Sequence, residues 1–295
     1  MVSAIVASPF CVLSELNIYR YFHRVPRHGP GSSGSGPPAY RGGSRKGLDL
    51  TIGILNPSES DSPIIPTSSS HAPSAPSPIP TIRGGILLRS VRRLSDSTVI
   101  SGPSLLVDEL LRTSGASEIP ELVNEKWLGD ISASRVPSVE NPESNSAATL
   151  FIGVKETTGT SPQMYRSPRV GLDLSHPSTR LDPSDKRVRY VSKPYRYFIL
   201  PRLLTVNGRG QTFLGVHDHC VKVLEISKKS LLAGTIASLT SLQAQTIEKY
   251  LNAYQEGLAS GELEHFIGSR GKGVSASPTS FLQLLGALRC RELAE

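Results

Sequence analysis

The sequence predicts a chain of mixed α and β structure, and three observations carry that expectation. Segments rich in β-branched and aromatic residues, at 10–22, 47–55 and 84–91, fill the first third. A leucine-rich segment with helical spacing follows at 101–114. Two further helical segments close the chain, at about 239–258 and 279–292.

Each element has a local reason. Residues 10–22 favour a strand, and the Gly/Ser/Pro stretch at 29–38 favours a flexible loop. The alternation of 47–55 predicts a second strand, and the apolar segment 84–91 a third. The Ser/Pro tract at 56–80 has no periodicity and is expected to be disordered. The order suggests a hairpin with a long insertion, which is tolerable because closure entropy grows slowly with loop length. In 101–114, Pro103 suits the first helical turn, with Ser101 or Gly102 at the cap. Leu105, Leu106, Leu110 and Leu111 are expected to form its apolar face. A strand is expected at 148–154, a loop punctuated by Pro168, Pro177 and Pro183 at 167–186, and short strands around Pro194 at 187–200. Thr240 or Ser241 is expected to cap the next helix, and Ser277 with Pro278 to open the last.

Composition narrows the function classes. Of the 295 residues, 38% are hydrophobic and 19% charged, with 23 Pro and 26 Gly, so part of the chain is expected to be loop while enough apolar residues remain for a core. No apolar run is long enough to span a bilayer, so no membrane partner is expected, and the segment Met1–Val12 lacks the basic start of a signal peptide. Cys11, Cys220 and Cys290 are too scattered for a disulfide scaffold or a paired zinc site, and suit a reducing compartment. The net charge of +7 is uneven: about −5 over 101–150, +8 over 151–230 and +4 over 1–50. That asymmetry points to a polyanion-binding face, with nucleic acid first, or else to a solvated basic surface.

Motifs for phosphate loops, zinc proteases and serine hydrolases are absent. His217-Asp218-His219-Cys220 lacks a second ligand group and reads as a surface turn rather than a metal site. The segment Lys186–Arg202 interleaves bases with Tyr190, Tyr195, Tyr197 and Phe198. Some of the bases are expected to meet phosphates, and the rings to face the core.

Four segments, taken in order, carry a resemblance. They are Gly85-Ile-Leu-Leu-Arg89-Ser, then Ser101-Gly-Pro-Ser104 opening a leucine-rich helix, then Ser167-Pro-Arg169-Val-Gly171, then Lys193-Pro-Tyr-Arg196-Tyr-Phe198. Together they resemble the alkyladenine (methylpurine) DNA glycosylase family over roughly residues 10–200. That family has a strand ending Leu-Leu-Arg-Ala, a Ser-Gly-Pro helix start, a Pro-Arg-Ile/Val-Gly loop and a closing Pro-x-Arg-Phe/Tyr strand. Its Glu-x-Glu-Ala-Tyr strand corresponds to Glu15-Leu16-Asn17-Ile18-Tyr19, and its histidine, nine residues after the tyrosine, to His28.

The resemblance implies a single α+β domain over 1–218, a curved antiparallel β-sheet flanked by helices, with 56–80 as an insertion. A helical extension of unknown role would occupy 219–295. It implies a nuclear base-excision-repair protein, a monomer without cofactor or metal. Such a protein flips an alkylated or deaminated purine out of double-stranded DNA and hydrolyses its N-glycosidic bond. Tyr19 and His28 would sandwich the base, Arg89 would line the pocket or form a buried salt bridge, and Tyr40, Arg41, Arg45, Lys46, Arg169, Lys193 and Arg196 would contact DNA. The family's catalytic glutamate position is held by Asn17, which cannot act as a base. Glu15, on the same side of a strand, or Asp49, at the position of the family's strand asparagine, would have to supply the carboxylate. The alternative is a DNA-binding relative without glycosylase activity. The family's elements before the Glu-x-Glu-Ala-Tyr strand have no counterpart, so the N-terminus is expected to be incomplete.

Overall fold

The computed structural model describes residues 18–25, 39–52, 84–133, 150, 161–204 and 206–294. Glu15, Asn17, His28, the Ser/Pro tract and most of the strand expected at 148–154 lie outside the described residues. The structure is mixed α and β, built of small antiparallel sheets and helices. Its contacts divide the chain into two compact units, Met1–Thr158 and Gly159–Glu295. The boundary expected near residue 218 falls inside a helix of the second unit. No helix among the described residues is long and apolar enough to cross a membrane.

The first unit is organised by a three-stranded antiparallel sheet in the order β1 (Ile18–Phe22), β2 (Leu48–Ile52), β3 (Gly84–Leu87). Register places Phe22 opposite Leu48, Arg20 opposite Leu50, and Tyr21 opposite Asp49, which in turn faces Leu87. The period of two then sorts the side chains. Ile18, Arg20, Phe22, Leu48 and Leu50 are buried, while Tyr19, Asp49 and Thr51 are half-buried and Tyr21 is exposed. The segment expected as one strand at 84–91 is two, because the chain turns at Leu88 and Arg89 into a hairpin of β4 (Ser90–Arg92) and β5 (Val99–Ser101).

Helix α1 (Pro103–Ser114) begins as expected, with Pro103 in its first turn and Gly102 at the cap. Gly102 takes φ 136°, a conformation open mainly to glycine, while its N–H donates to the Arg89 carbonyl at 2.7 Å. The buried face of α1 is Leu106, Val107, Leu110 and Leu111. Leu105 is 54% exposed, a correction to the expected stripe. At 100° per residue, 106/110 and 107/111 share the core side and 105 falls off its edge. These side chains pack with Phe22, Leu48 and the helical segment α2 (Ile119–Glu121), which continues as a π-helical turn over Leu122–Lys126. Trp127 closes this core and stacks on Phe22 at 5.7 Å between centroids. Each such apolar side chain contributes roughly 1.5–3 kcal/mol by leaving water.

Two charged groups are unusual here. Arg20 is 2% exposed on the core face of β1. Its guanidinium lies 3.9 Å over the Trp127 ring and donates to the Asp130 carbonyl at 2.5 Å, and burial lowers its pKa to about 10. Glu109, nearly buried on α1, accepts from Arg112 at 2.6 and 2.9 Å and from Arg93 at 2.9 Å. Those hydrogen bonds, Arg112's first, hold its carboxyl at about 2 instead of the ordinary 4.5. A depressed carboxyl stabilises the fold above its unfolded pKa and loses that contribution as pH falls through its folded one. Glu109→Gln is therefore expected to lower stability by about 2 kcal/mol at neutral pH. Melts of wild type and variant should converge as pH drops from 4.5 towards 2; parallel melting curves over that range would refute it.

The second unit pairs a two-stranded sheet, β6 (Tyr165–Ser167) with β7 (Arg196–Phe198), against a group of helices. Helix α3 (Lys186–Val191) replaces the first of the short strands expected at 187–200. The Asp185 side chain caps it, accepting from the Arg187 N–H at 2.8 Å, a capping signal that outweighs the β-branched and aromatic content of the segment. Helix α4 (Arg209–Lys222) carries His217 to Cys220, so the expected surface turn is corrected to the last turns of a helix. Helix α5 (Lys229–Thr240) has no counterpart in the expected elements. The helix expected over 239–258 is α6 (Ala244–Ser260), which starts later, because Thr240 ends α5, Ser241 terminates it at φ 58°, and Gln243 takes the cap position of α6. Helix α7 (Pro278–Ala294) starts where expected, with the Ser277 hydroxyl accepting from the Ser280 N–H at 3.4 Å. Helices α6 and α7 make the most extensive packing in the unit, around Ile247, Leu251, Phe281, Leu284 and Leu288.

Candidate nucleic-acid interface

The second face of the β1–β2–β3 sheet gathers several of the residues singled out in the sequence. Tyr19 and Tyr21 from β1 stand beside Thr51 and Asp49 from β2, directly across the ladder. Asp49 Oδ2 meets His23 Nε2 at 3.1 Å, with both side chains about a quarter exposed. His23 is fixed from both sides: its N–H donates to the Gly47 carbonyl at 3.0 Å and its own carbonyl accepts from the Arg41 N–H at 2.9 Å. Gly47 makes room for the ring, since a β-carbon there would lie 2.7 Å from two of its atoms. Asp49 Oδ1 is buried and has no hydrogen-bond partner among the described residues. A carboxylate oxygen in that state is costly unless a water or ligand donor satisfies it. The sheet face therefore presents an oriented acid–imidazole pair, with Tyr21 directly across the ladder from Asp49.

The other expected contacts are distributed. Arg89 is half-buried just beyond β3. Tyr40 packs edge-on against Phe22 at 6.2 Å and lies under the Arg24 guanidinium at 5.0 Å, so its ring is committed to the first unit's core edge. Arg41 Nε donates to the Arg24 carbonyl at 3.0 Å. Lys46 pairs with Asp108, and Arg45 is exposed in the turn Gly43–Arg45. Arg169, Lys193 and Arg196 belong to the second unit. Arg169 is exposed, whereas Arg196 donates to Ser167 Oγ and Thr212 Oγ1 at 3.2 and 3.1 Å and stacks on Phe198, a structural post.

The rings interleaved with those bases reverse the expectation. Phe198 is buried, but Tyr190, Tyr195 and Tyr197 are 39%, 56% and 55% exposed. Arg189 sits over Tyr190 at 5.5 Å and Arg166 over Tyr197 at 5.3 Å. The physical reason is the helix. Once 186–191 coils, Val191 supplies the buried contact and Tyr190 turns outward; in β7 the alternation buries Phe198 and exposes Tyr197. Exposed rings beside guanidinium groups are able, chemically, to stack on planar groups and to hold anions.

The segment His217-Asp218-His219-Cys220 spreads over three directions. The His217 ring stacks on Phe213, that of His219 meets the edge of Tyr165, and Cys220 is fully buried, which pushes its thiol up. Among the described residues no group of three His, Cys, Asp or Glu side chains is placed to hold a metal. Sequence reasoning missed His23 and Arg20. The signal for His23 was its step along β1 past Tyr21, which the hairpin register brings back onto Asp49; Arg20 had none, because its partners are carbonyls distant in sequence.

No protein-family model matches the chain, and no solved structure does. An uncharacterised protein of Acanthamoeba polyphaga mimivirus is 27% identical over 179 residues, 61% of this chain and 61% of its own length. The chain thus matches about three-fifths of that relative, which carries no stated activity.

Proposed function

We propose that the protein binds double-stranded DNA in the manner of the methylpurine DNA glycosylases. An alkylated or deaminated purine is flipped onto the second face of the β1–β2–β3 sheet, and its N-glycosidic bond is hydrolysed with Asp49 as the carboxylate. The observation that carries this reading is the unpartnered Asp49 Oδ1, held in place through His23 on a face flanked by Tyr19 and Tyr21. Hydrolysis of this bond needs a carboxylate to orient water and to stabilise a cation-like sugar. Tyr19 offers a stacking ring for the extruded base. Flipping costs a few kcal/mol, which stacking in the pocket offsets in part.

A second reading, recognition of DNA without cleavage, draws on the exposed rings and bases of the second unit and on Asn17 at the family's glutamate position. One experiment separates the two: single-turnover excision on a duplex with one hypoxanthine or ethenoadenine, with Asn17→Glu alongside. Abasic product from the wild type supports the glycosylase. A silent wild type and an active Asn17→Glu identify a binding relative with an intact pocket. If neither cuts and duplex affinity shows no salt dependence, both readings fail.

A further inference from the structure

The second unit holds a cavity of about 190 Å³ between the Ser192–Pro194 turn, β6 and helices α4, α6 and α7. Its lining includes Ser167, Pro168, Lys193 and Pro194 from two of the segments that carry the resemblance, but none of the residues expected to hold the extruded base. Four cationic and two carboxylate side chains line it. Lys222 pairs with Asp218 at 2.5 Å, and Ser192 Oγ donates to Glu292 at 3.0 Å. Among the described residues no carboxylate lies within ion-pair distance of Lys193 or Arg289, Arg166 lies over the Tyr197 ring, and the Tyr254 hydroxyl has no hydrogen-bond partner. Lys193, Arg289 and Tyr254 are each half-buried.

Half-buried cations without counter-charge are unfavourable, and an anion at their centre removes that cost. The lining carries four positive and two negative groups, so a ligand of charge −2 neutralises it. The volume is below the usual 300–1,000 Å³ of drug-sized ligand sites, so the occupant is small or inserts only one group. We infer that this cavity is a phosphate-binding site, in which Lys193 and Arg289 provide the charge and Tyr254 a neutral donor. A tyrosine hydroxyl is neutral near pH 7, and burial pushes that of Tyr254 further up from its ordinary range. The phosphate belongs either to a free phosphate monoester or to a nucleic-acid backbone, and the proposal stands apart from base excision.

The test is a calorimetric titration of the full chain with inorganic phosphate, with acetate as control. Saturable binding of phosphate and none of acetate is expected. Lys193→Gln and Arg289→Gln should each weaken it roughly tenfold, the scale of one charge-assisted hydrogen bond. Arg202→Gln, outside the cavity, should leave it unchanged. Lys193→Gln removes only a half-exposed side chain, so it reports on the site even if Arg289→Gln folds poorly. No saturable binding, or binding indifferent to Lys193→Gln, overturns the proposal. With binding in hand, an unphosphorylated duplex that displaces phosphate identifies backbone phosphate as the occupant; a duplex that does not identifies a free phosphate compound.

Discussion

Asparagine in place of Asp49 is expected to slow base excision by about 10²–10⁴-fold, the range for loss of a general base, while duplex affinity is retained. The two side chains have the same shape, so the contact with His23 Nε2 and the packing beside Tyr19 and Tyr21 survive. What is lost is the full negative charge facing the sugar and the oxygen that takes a proton from water. Glu15 is the competing carboxylate. If Glu15 performs the chemistry, Asp49→Asn keeps the wild-type rate and Glu15→Gln loses it. Single-turnover rates of the two variants, measured with binding by anisotropy, decide between the carboxylates. Equal rates for wild type and Asp49→Asn would remove Asp49 from the reaction.

Gly286→Ala is expected to destabilise the second unit by about 3 kcal/mol or more, at the upper end of overpacking costs. A β-carbon on Gly286 would overlap the Tyr254 carbonyl oxygen, and one on Gly257 would overlap that of Gln283. The two glycines lie on facing helices, so α6 and α7 meet backbone against backbone. A flexible side chain can move away from an added methyl; a helical carbonyl moves only with its helix. Gly234, in α5 with open space around its β position, is the control: alanine there should be neutral or slightly stabilising, because alanine is the better helix former. Chemical denaturation of the three proteins tests this. A Gly286→Ala midpoint equal to that of Gly234→Ala would show that the helices do not touch at this crossing.

The same contrast between local and distant causes separates what was legible in the sequence from what was not. Pro103 after Gly102 marked the start of α1, and Ser277-Pro278 the start of α7, because a cap and a first-turn proline act within one helical turn. The alternation in Leu48-Asp49-Leu50 marked β2, and its inward leucines are indeed buried. The segment 186–202 misled because its composition favours strands, whereas one aspartate cap at its start made a helix of six residues. Helix α5 gave little signal because only Leu232, Ile236 and Thr240 of its residues are buried, a stripe too narrow to stand out from its neighbours. Gly286 carries no signal in its own stretch of sequence; the close approach appears only where α6 lies against it.

By itself, the sequence determined the mixed α and β class, the starts of the two helices and the hairpin of the first unit. Each follows from residues close together along the chain, or from a period of two or 3.6 that any short window contains. The tertiary structure alone decided that His23 holds Asp49, that Arg20 is buried under Trp127, that the tyrosines of 190–197 face outward, and that Lys193 and Arg289 line one cavity. Those facts depend on register and packing between segments tens of residues apart. The free energy that fixes them comes from burial shared across the whole unit, which no local window records.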